Sequence, residues 1–150
     1  MANPTNNEVV KTNLHASKFS AEGFLGSDNR LPEEIIAADE RTMIERGIEL
    51  KKLVSLLKSA YEKAREALGV EIELRSGIIA VYYESMGRIP SPFPGDGVFE
   101  KGEVVITETQ TGRQIILTPL AIHLIEKYHF FQGTGCRHRI DPAIAIELVG

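Results

Sequence analysis

The sequence predicts an α+β fold: an N-terminal helical pair, a small antiparallel sheet of about four strands with a β-hairpin, and one or two C-terminal helices. Helical patterns fill about residues 31–69, and strand patterns follow one another from about residue 70 to residue 117. Because helical and strand patterns occupy separate parts of the chain, their order favours this fold over alternating βαβ units.

Length and composition fit one domain. The 150 residues are 43% hydrophobic and 25% charged, which is close to the average for globular proteins and allows a hydrophobic core. Residues 1–18 are polar and show no period, so a mobile N-terminal arm is expected there, with residues 19–150 as a single α+β domain.

Two helices are expected at the start of this domain. Pro32 suits the first turn of the first helix, and Gly47 is placed to end it. Little more than Gly47 separates the two helices, so they form either a tight corner or one kinked helix. Part of the apolar stripe on the second helix has near-heptad spacing, which suits an intramolecular core or the seam of a homodimer. Its members recur along the helix at steps of three and four residues, with Leu53 and Val54 adjacent: Leu50, Leu53, Val54, Leu57, Tyr61, Ala64 and Leu68.

The strand region contains two β-prone runs, a proline-rich segment and a hairpin. "VEIELR" alternates apolar and charged residues, as in a half-buried strand, and "GIIAVYYES" is typical of a central strand. "GRIPSPFPGDG" is expected to be a loop without regular structure because of its prolines and glycines. "EVVITETQTGRQIILT" predicts a β-hairpin that turns at residues 110–113.

Two capping signals mark the C-terminal helices. Thr118 followed by Pro119 starts a helix that is expected to run to about Phe131, with Gly133 placed to stop it. "RIDPAIAIELV" repeats the signal, an acidic cap followed by proline, and predicts a short final helix.

The charge balance and the apolar runs exclude several classes of protein. The net charge is −4, with 17 basic against 21 acidic residues, so general nucleic-acid binding and attachment to an anionic membrane are not expected. No apolar run approaches the roughly 20 residues that span a bilayer. A single cysteine cannot form an internal disulfide and fits a reducing compartment. A cytoplasmic protein is therefore expected.

The stretch "IHLIEKYHFFQGTGCRHRID", residues 122–141, concentrates the reactive side chains of the chain. It contains three of the four histidines, the only cysteine and two arginines. The "GTG" sequence can expose backbone N–H groups to an anion, and the arginines that follow match phosphate or carboxylate. The candidate ligand-binding residues are His123, His129, Gly133, Gly135, Arg137, His138 and Arg139.

Two other chemistries remain open for the same stretch. His129, Cys136 and His138 could bind a metal such as zinc if a loop folded them together, although their spacing matches no zinc motif. Cys136 and His138 would share a face if "CRHRI" were extended, as a reactive thiol beside a base requires. No cofactor is predicted. The alternative to all three chemistries is that this stretch is only the structural end of a helix. Its side chains would then pair with surface carboxylates or lie in solvent.

Two segments resemble a small family of uncharacterised bacterial cytosolic proteins. "GFLGSDNRLPEEIIAADE" and "IHLIEKYHFFQGTGCRHRIDP" are similar to that family's "GFLG-D-R" opening and to its "HLIE-HGFF-GKGS-YR" segment with an acidic residue and proline after it. The resemblance covers residues 19–148, with Phe130 where the family has glycine and Cys136 where it has serine. It implies no activity, but it implies that Cys136 is neither an obligate nucleophile nor an obligate metal ligand.

The function expected from these patterns is a non-catalytic binding or regulatory module with a small anion or a protein as its partner. A homodimer is a further expectation. The alternative is an anion-, metal- or thiol-dependent enzyme with its site in residues 122–141. The two hypotheses differ in geometry, because an enzyme site needs the histidines and arginines of this stretch to face one partly buried pocket.

Overall fold

The computed structural model describes residues 23–150, so the predicted arm, residues 1–18, lies outside the described residues. Within them, helices and strands are segregated as the sequence predicts, and the fold is α+β. The helices are α1 (Pro32–Arg46), α2 (Leu50–Glu66), α3 (Pro119–Tyr128) and α4 (Pro142–Val149). The strands are β1 (Ile72–Arg75), β2 (Ile78–Tyr83), β3 (Arg88–Pro90), β4 (Val98–Glu100), β5 (Glu103–Glu108) and β6 (Gln114–Leu117).

The first two helices are separate and meet at a tight corner. Gly47 adopts a left-handed conformation with a φ of 70°, and its N–H group donates to the carbonyl of Ile44 at 3.1 Å. The apolar stripe of α2 lies in the intramolecular core, where Leu53, Leu57 and Ala64 have no solvent exposure. These three residues are therefore not available as the seam of a homodimer.

The main sheet of the described residues is antiparallel, with the strand order β1, β2, β5, β6. The run "GIIAVYYES" thus supplies a central strand, and the predicted hairpin joins β5 to β6. One face of the sheet packs against α2 and α4 and encloses the main hydrophobic core. The buried residues on this face are Ile78, Ala80, Val104, Ile106, Ile115 and Leu117.

The proline-rich segment contains regular structure, which corrects the prediction of a loop throughout. The strands β3 and β4 pair antiparallel, with Ile89 opposite Phe99 and Pro90 opposite Val98. Proline is tolerated here because a two-stranded ribbon leaves one side of each strand unpaired. Only residues 91–97, between the two strands, form the loop that the sequence predicts.

Helix α3 begins as predicted but ends earlier. The hydroxyl of Thr118 caps it by accepting a hydrogen bond from the N–H group of Ala121 at 3.0 Å. His129, rather than Gly133, reverses the chain after Tyr128, with a φ of 57°. The early end buries the next two residues, both phenylalanines, to 1% exposure. Burying each ring contributes roughly 1.5–3 kcal/mol, which exceeds the 1–2 kcal/mol or so that a left-handed residue costs.

A second hydrophobic cluster fastens the first described residues to α3. Phe24 and Leu25 are buried against Ile35 of α1 and Leu124 of α3. The carbonyl of Phe24 also accepts a hydrogen bond from the N–H group of Gly133 at 2.8 Å. Residues 23–30 are thereby held against the turn that follows α3.

Candidate functional site

The candidate side chains of the stretch 122–141 do not converge on one pocket. His123 contacts Asp96 in the loop between β3 and β4, while His129 lies 3.7 Å from Glu40 of α1. The two arginines and the third histidine pair with two further carboxylates, on α1 and β5. This arrangement differs from the single pocket that the enzyme hypothesis requires.

Arg139 forms a buried, two-pronged ion pair with Asp39 of α1. Its Nη1 and Nη2 atoms lie 3.0 and 2.9 Å from the two carboxylate oxygens, and Nη1 also donates to the carbonyl of Gln132 at 2.7 Å. Burial alone would lower the pKa of Arg139, but the hydrogen bonds and the charge of Asp39 hold it above its usual value. The side chains are 14% and 6% exposed, so the pair joins α1 to the turn inside the protein.

Arg137 and His138 meet at Glu103, the first residue of β5. The Nε and Nη2 atoms of Arg137 lie 3.2 and 2.9 Å from the carboxylate oxygens, and Nε2 of His138 contacts the same group. Burial by itself would raise the pKa of Glu103, but these two partners hold it below its usual value. The side chain of Arg137 is 60% exposed, so an outside molecule can reach this cluster, in contrast to Arg139.

One of the N–H groups that the "GTG" sequence offers for a backbone nest already binds a carboxylate of the same chain. The N–H group of Thr134 donates to Oδ2 of Asp28 at 3.1 Å. Arg30 binds the same carboxylate with two hydrogen bonds of 2.9 and 2.6 Å, which hold the pKa of Asp28 well below its usual range although burial opposes this. Asp28 is thus an internal anion where the sequence analysis expected an external one.

The glycines of this turn are required by the close approach of residues 23–28. A Cβ atom at Gly133 would overlap the carbonyl group of Leu25. Gly135 has a φ of 90°, and a Cβ atom there would lie 2.6 Å from Oγ of Ser27. The packing of residues 23–28 therefore explains why both positions are glycine, without any bound ligand.

Cys136 lies in a turn, not in an extended segment beside His138. The residue is 8% exposed, and its Sγ atom lies 3.5 Å from the carbonyl oxygen of Gly23. Among residues 23–150, no group of three histidine, cysteine, aspartate or glutamate side chains is placed to hold a metal ion. The alternative metal set of His129, Cys136 and His138 is therefore not formed, because its two histidines contact different carboxylates.

A buried carboxylate, Asp96, is a polar centre that the sequence analysis missed. Its side chain is 1% exposed. Oδ1 accepts hydrogen bonds from Nζ of Lys127 at 2.7 Å and from the hydroxyl of Tyr128 at 2.8 Å. Oδ2 accepts one from the hydroxyl of Ser91 and contacts Nε2 of His123, both at 2.9 Å. Burial alone would raise the pKa of Asp96, but these four partners hold it well below its usual range.

The contacts of Asp96 fasten the loop between β3 and β4 onto α3. The rings of Phe93 and Tyr128 stack at 3.7 Å and complete this attachment. The available signal was the four-residue spacing of His123 and Lys127, which puts these two side chains on one side of a helix. The sequence does not indicate that residue 96 approaches them, because the contact spans 27 residues or more.

The second face of the main sheet carries a row of apolar side chains. Side chains alternate along a strand, so the neighbours of the buried residues lie on the face away from α2 and α4. The cross-strand pairs Val81–Val105 and Val105–Ile116 form a row across it. We call five partly or largely exposed residues the open sheet face: Ile79, Val81, Tyr83, Val105 and Ile116. None of them belongs to the two core clusters.

A cleft of about 280 Å³ lies at one end of the open sheet face. Tyr83 belongs to both features. Leu68, Val70 and Met86 lie in or beside the two segments that line the cleft, and they are 83%, 67% and 93% exposed. The apolar surface therefore continues beyond the sheet. The residues that line the cleft are Leu68, Gly69, Tyr82, Tyr83 and Glu84.

The helices of residues 23–150 are all too short or too polar to cross a bilayer. Comparison of the chain with models of protein families, with curated proteins and with solved structures finds no match. Function is therefore inferred from the arrangement of the side chains alone.

Proposed function

We propose that the chain is a cytoplasmic, non-catalytic module that binds a protein partner through the open sheet face. The row Val81–Val105–Ile116 is the observation that carries this proposal. Covering such side chains gains roughly 25 cal/mol for each Å² of apolar surface removed from water. Contiguous exposed apolar patches commonly mark protein–protein interaction sites.

The sequences of the strands support the same proposal. "VVI" in β5 and "IIAV" in β2 are continuous apolar runs. Runs of this kind are typical of strands that are covered on both faces, whereas a strand with one wet face alternates apolar and polar residues. Among the described residues, the core covers only one face of these strands, so a partner is expected on the other.

The stretch 122–141 supports the alternative, an anion-, metal- or thiol-dependent enzyme, less well. Its buried arginine and its backbone nest are engaged by carboxylates of the chain itself. Arg137 and His138 fit the binding proposal better, because their partner Glu103 lies directly opposite Tyr83 of the open sheet face. They would form part of a polar rim around an apolar interface.

Selection from a library of displayed random peptides tests the proposal. Peptides of about 16 residues would span about 24 Å as helices, which exceeds the width of the sheet. A variant that carries Val81→Thr and Val105→Thr replaces two methyl groups of the open sheet face by hydroxyls. We expect selected peptides to bind the native protein saturably and the variant at least about tenfold more weakly. A library that yields no peptide with this dependence would refute the proposal.

Val104→Thr is the matched control for folding. Val104 precedes Val105 in β5 but lies in the core with no exposure. The control should lose about 1–3 kcal/mol of unfolding free energy, because it buries a hydroxyl in place of a methyl group. Val81→Thr and Val105→Thr should each lose less than about 1 kcal/mol, because their hydroxyls keep contact with water. Urea unfolding measures all three, and equal losses would show that the open sheet face is covered within the chain.

A further inference from the structure

We propose that the partner docks on the open sheet face as an amphipathic helix whose polar border carries lysine or arginine. This inference rests on the proposed function and adds the conformation and the charge of the partner. It is carried by the unpaired carboxylates beside the open sheet face, by the dimensions of the sheet and by the cleft at its end.

Glutamates border the open sheet face along its edge strand β1 and at the cleft. Residues 66–73 and 82–86 contain glutamates but no lysine or arginine. Glu73 of β1 lies directly opposite Ile79 of the open sheet face, and Glu84 lines the cleft. We call three exposed glutamates the acidic border: Glu71, Glu73 and Glu84. None of the three forms an ion pair with another residue of the range 23–150.

Carboxylates at the end of the sheet away from the cleft are already paired. Arg113 lies 2.9 Å from Glu108 and also contacts Glu147. The bases nearest to the acidic border are engaged elsewhere: Arg75 donates to two carbonyl groups at the end of α4, and Arg137 pairs with Glu103. Since no base among residues 23–150 pairs with the acidic border, a partner with basic side chains gives the complementary charge.

The dimensions of the open sheet face suit one helix. Four strands about 4.8 Å apart, with about five residues of 3.3 Å each, present roughly 19 by 17 Å, or about 320 Å². One helix about 10 Å wide fits on this area. A second copy of the chain would bury far less than the roughly 800 Å² per partner of a standard interface. The other face of β2 and β5 is already covered in the same way by α2.

The cleft offers an anchoring point for a basic side chain of that helix. Lysine and arginine have long apolar stems, which fit against Leu68 and Tyr83, and a charged end, which the carboxylate of Glu84 can bind. The ring of Tyr83 is accessible to a cation because the residue is 55% exposed. A small interface of this kind is expected to be transient, with peptide affinities in the micromolar range or so.

The peptides selected for binding to the open sheet face test this inference. We expect them to carry apolar residues at helical spacing, lysine or arginine on the flanking positions, and a helical circular dichroism spectrum when bound. Raising the salt concentration from about 50 to about 500 mM should weaken binding at least about fivefold, because exposed charge pairs are screened. Fluorescence anisotropy of labelled peptides gives these affinities.

Matched charge variants locate the effect. The triple variant Glu71→Gln, Glu73→Gln and Glu84→Gln should weaken peptide binding at least about fivefold at low salt. The control triple variant Glu33→Gln, Glu34→Gln and Glu45→Gln removes the same charge from exposed positions of α1 and should leave binding within about twofold. Equal effects of the two variants would show that only the net charge matters and would overturn the inference.

The remaining outcomes separate this inference from the proposed function. Peptides that depend on Val81 and Val105 but lack basic residues would overturn the inference and leave the proposed function intact. A library without any such peptide would overturn both. A dimer in sedimentation equilibrium that Val81→Thr with Val105→Thr dissociates would identify a second copy as the occupant. Peptide binding that appears only after deletion of residues 1–18 would identify the chain's own N-terminal segment as the occupant.

Discussion

The stretch 122–141 contains histidines, arginines and a cysteine, whereas the open sheet face contains ordinary apolar residues. In the stretch, charged side chains are held by carboxylates from elsewhere in the chain, and Arg139 finds its partner Asp39 100 residues away. On the open sheet face, the row Val81–Val105–Ile116 lies outside both core clusters. The reactivity of a side chain and its availability to a partner are therefore separate properties, and its availability depends on residues distant in sequence.

This comparison predicts that substitutions in the two regions have different consequences. Changes in the stretch 122–141 should alter the free energy of unfolding, because its side chains connect α1, β5 and the turn. Changes on the open sheet face should alter binding with little effect on stability.

Arg139→Ala should give the largest effect on stability. The variant leaves the carboxylate of Asp39 buried without its guanidinium, and such a loss costs about 3–5 kcal/mol. Urea unfolding at neutral pH measures the difference. Arg137→Ala is the control, because Arg137 is 60% exposed and its ion pair should contribute less than about 1 kcal/mol. Equal losses of unfolding free energy for the two variants would contradict the conclusion that Arg139, and not Arg137, has the structural role.

Gly135→Val should give the next largest effect. Its φ of 90° is strained for a β-branched residue, and the new Cβ atom would lie 2.6 Å from Oγ of Ser27. A loss of about 2–3 kcal/mol is expected in urea unfolding. Cys136→Ser in the same series should lose about 1 kcal/mol, because the carbonyl of Gly23 can accept a hydrogen bond from the new hydroxyl. Loss of a bound metal or of an enzymatic activity in the serine variant alone would instead show that the Cys136 thiol has a functional role.

The elements of the fold follow from local signals, which is why the sequence predicts most of them. Thr118 and Asp141 cap helices through bonds to residues three or fewer positions away. Gly47 ends α1 because its own backbone adopts a left-handed conformation. The end of α3 was misplaced because a distant core decides it: the burial of Phe130 and Phe131 outweighs the cost of a left-handed His129.

The candidate site was harder to predict because partners are not local. The sequence shows that Arg139 and the "GTG" turn suit an anion, but not that Asp39 and Asp28 supply the carboxylates. The open sheet face did leave a signal. The uninterrupted run Val104 to Ile106 indicates a strand that is apolar on both faces, and only the register of the sheet shows which face lies in the core.

A smaller effect is expected from the titration of Asp96. Its lowered pKa means that the unfolded chain binds this proton more readily than the folded protein does. The ionised Asp96 therefore contributes fully to the free energy of unfolding above its unfolded pKa, near 3.9. This contribution is lost as the pH falls through that value towards the lower folded pKa. Urea unfolding between about pH 7 and pH 3 should show a shallower loss of stability for Asp96→Asn than for the native protein.

The native protein and the asparagine variant must be compared with each other, because Glu103 and Asp28 also have lowered pKa values and destabilise the fold in acid. Both proteins share these two groups, so the difference between their pH profiles isolates Asp96. Identical profiles would mean that the loop between β3 and β4 does not depend on the charge of Asp96.

The smallest effect is expected from zinc and inorganic phosphate. Neither should raise the melting temperature of the native protein by more than about 1 °C. Asp28 and Asp39 already occupy the groups that would bind phosphate, and His129 and His138 contact different carboxylates instead of sharing a metal ion. A specific ligand at about 100 times its dissociation constant would add about 2.7 kcal/mol and raise the melting temperature by several degrees. A rise in melting temperature with phosphate that Arg137→Ala removes, or with zinc that Cys136→Ser removes, would show that the stretch 122–141 binds a ligand.

Asp28→Ala sharpens this last test, because it removes the internal anion while leaving the nest and Arg30 in place. The variant should melt at a lower temperature than the native protein, since Arg30 and the N–H group of Thr134 lose their acceptor. Inorganic phosphate should then raise its melting temperature by a few degrees, because an external anion can take the vacated position. Phosphate that leaves the variant unchanged would show that the turn binds Asp28 through its particular geometry rather than as a general anion nest.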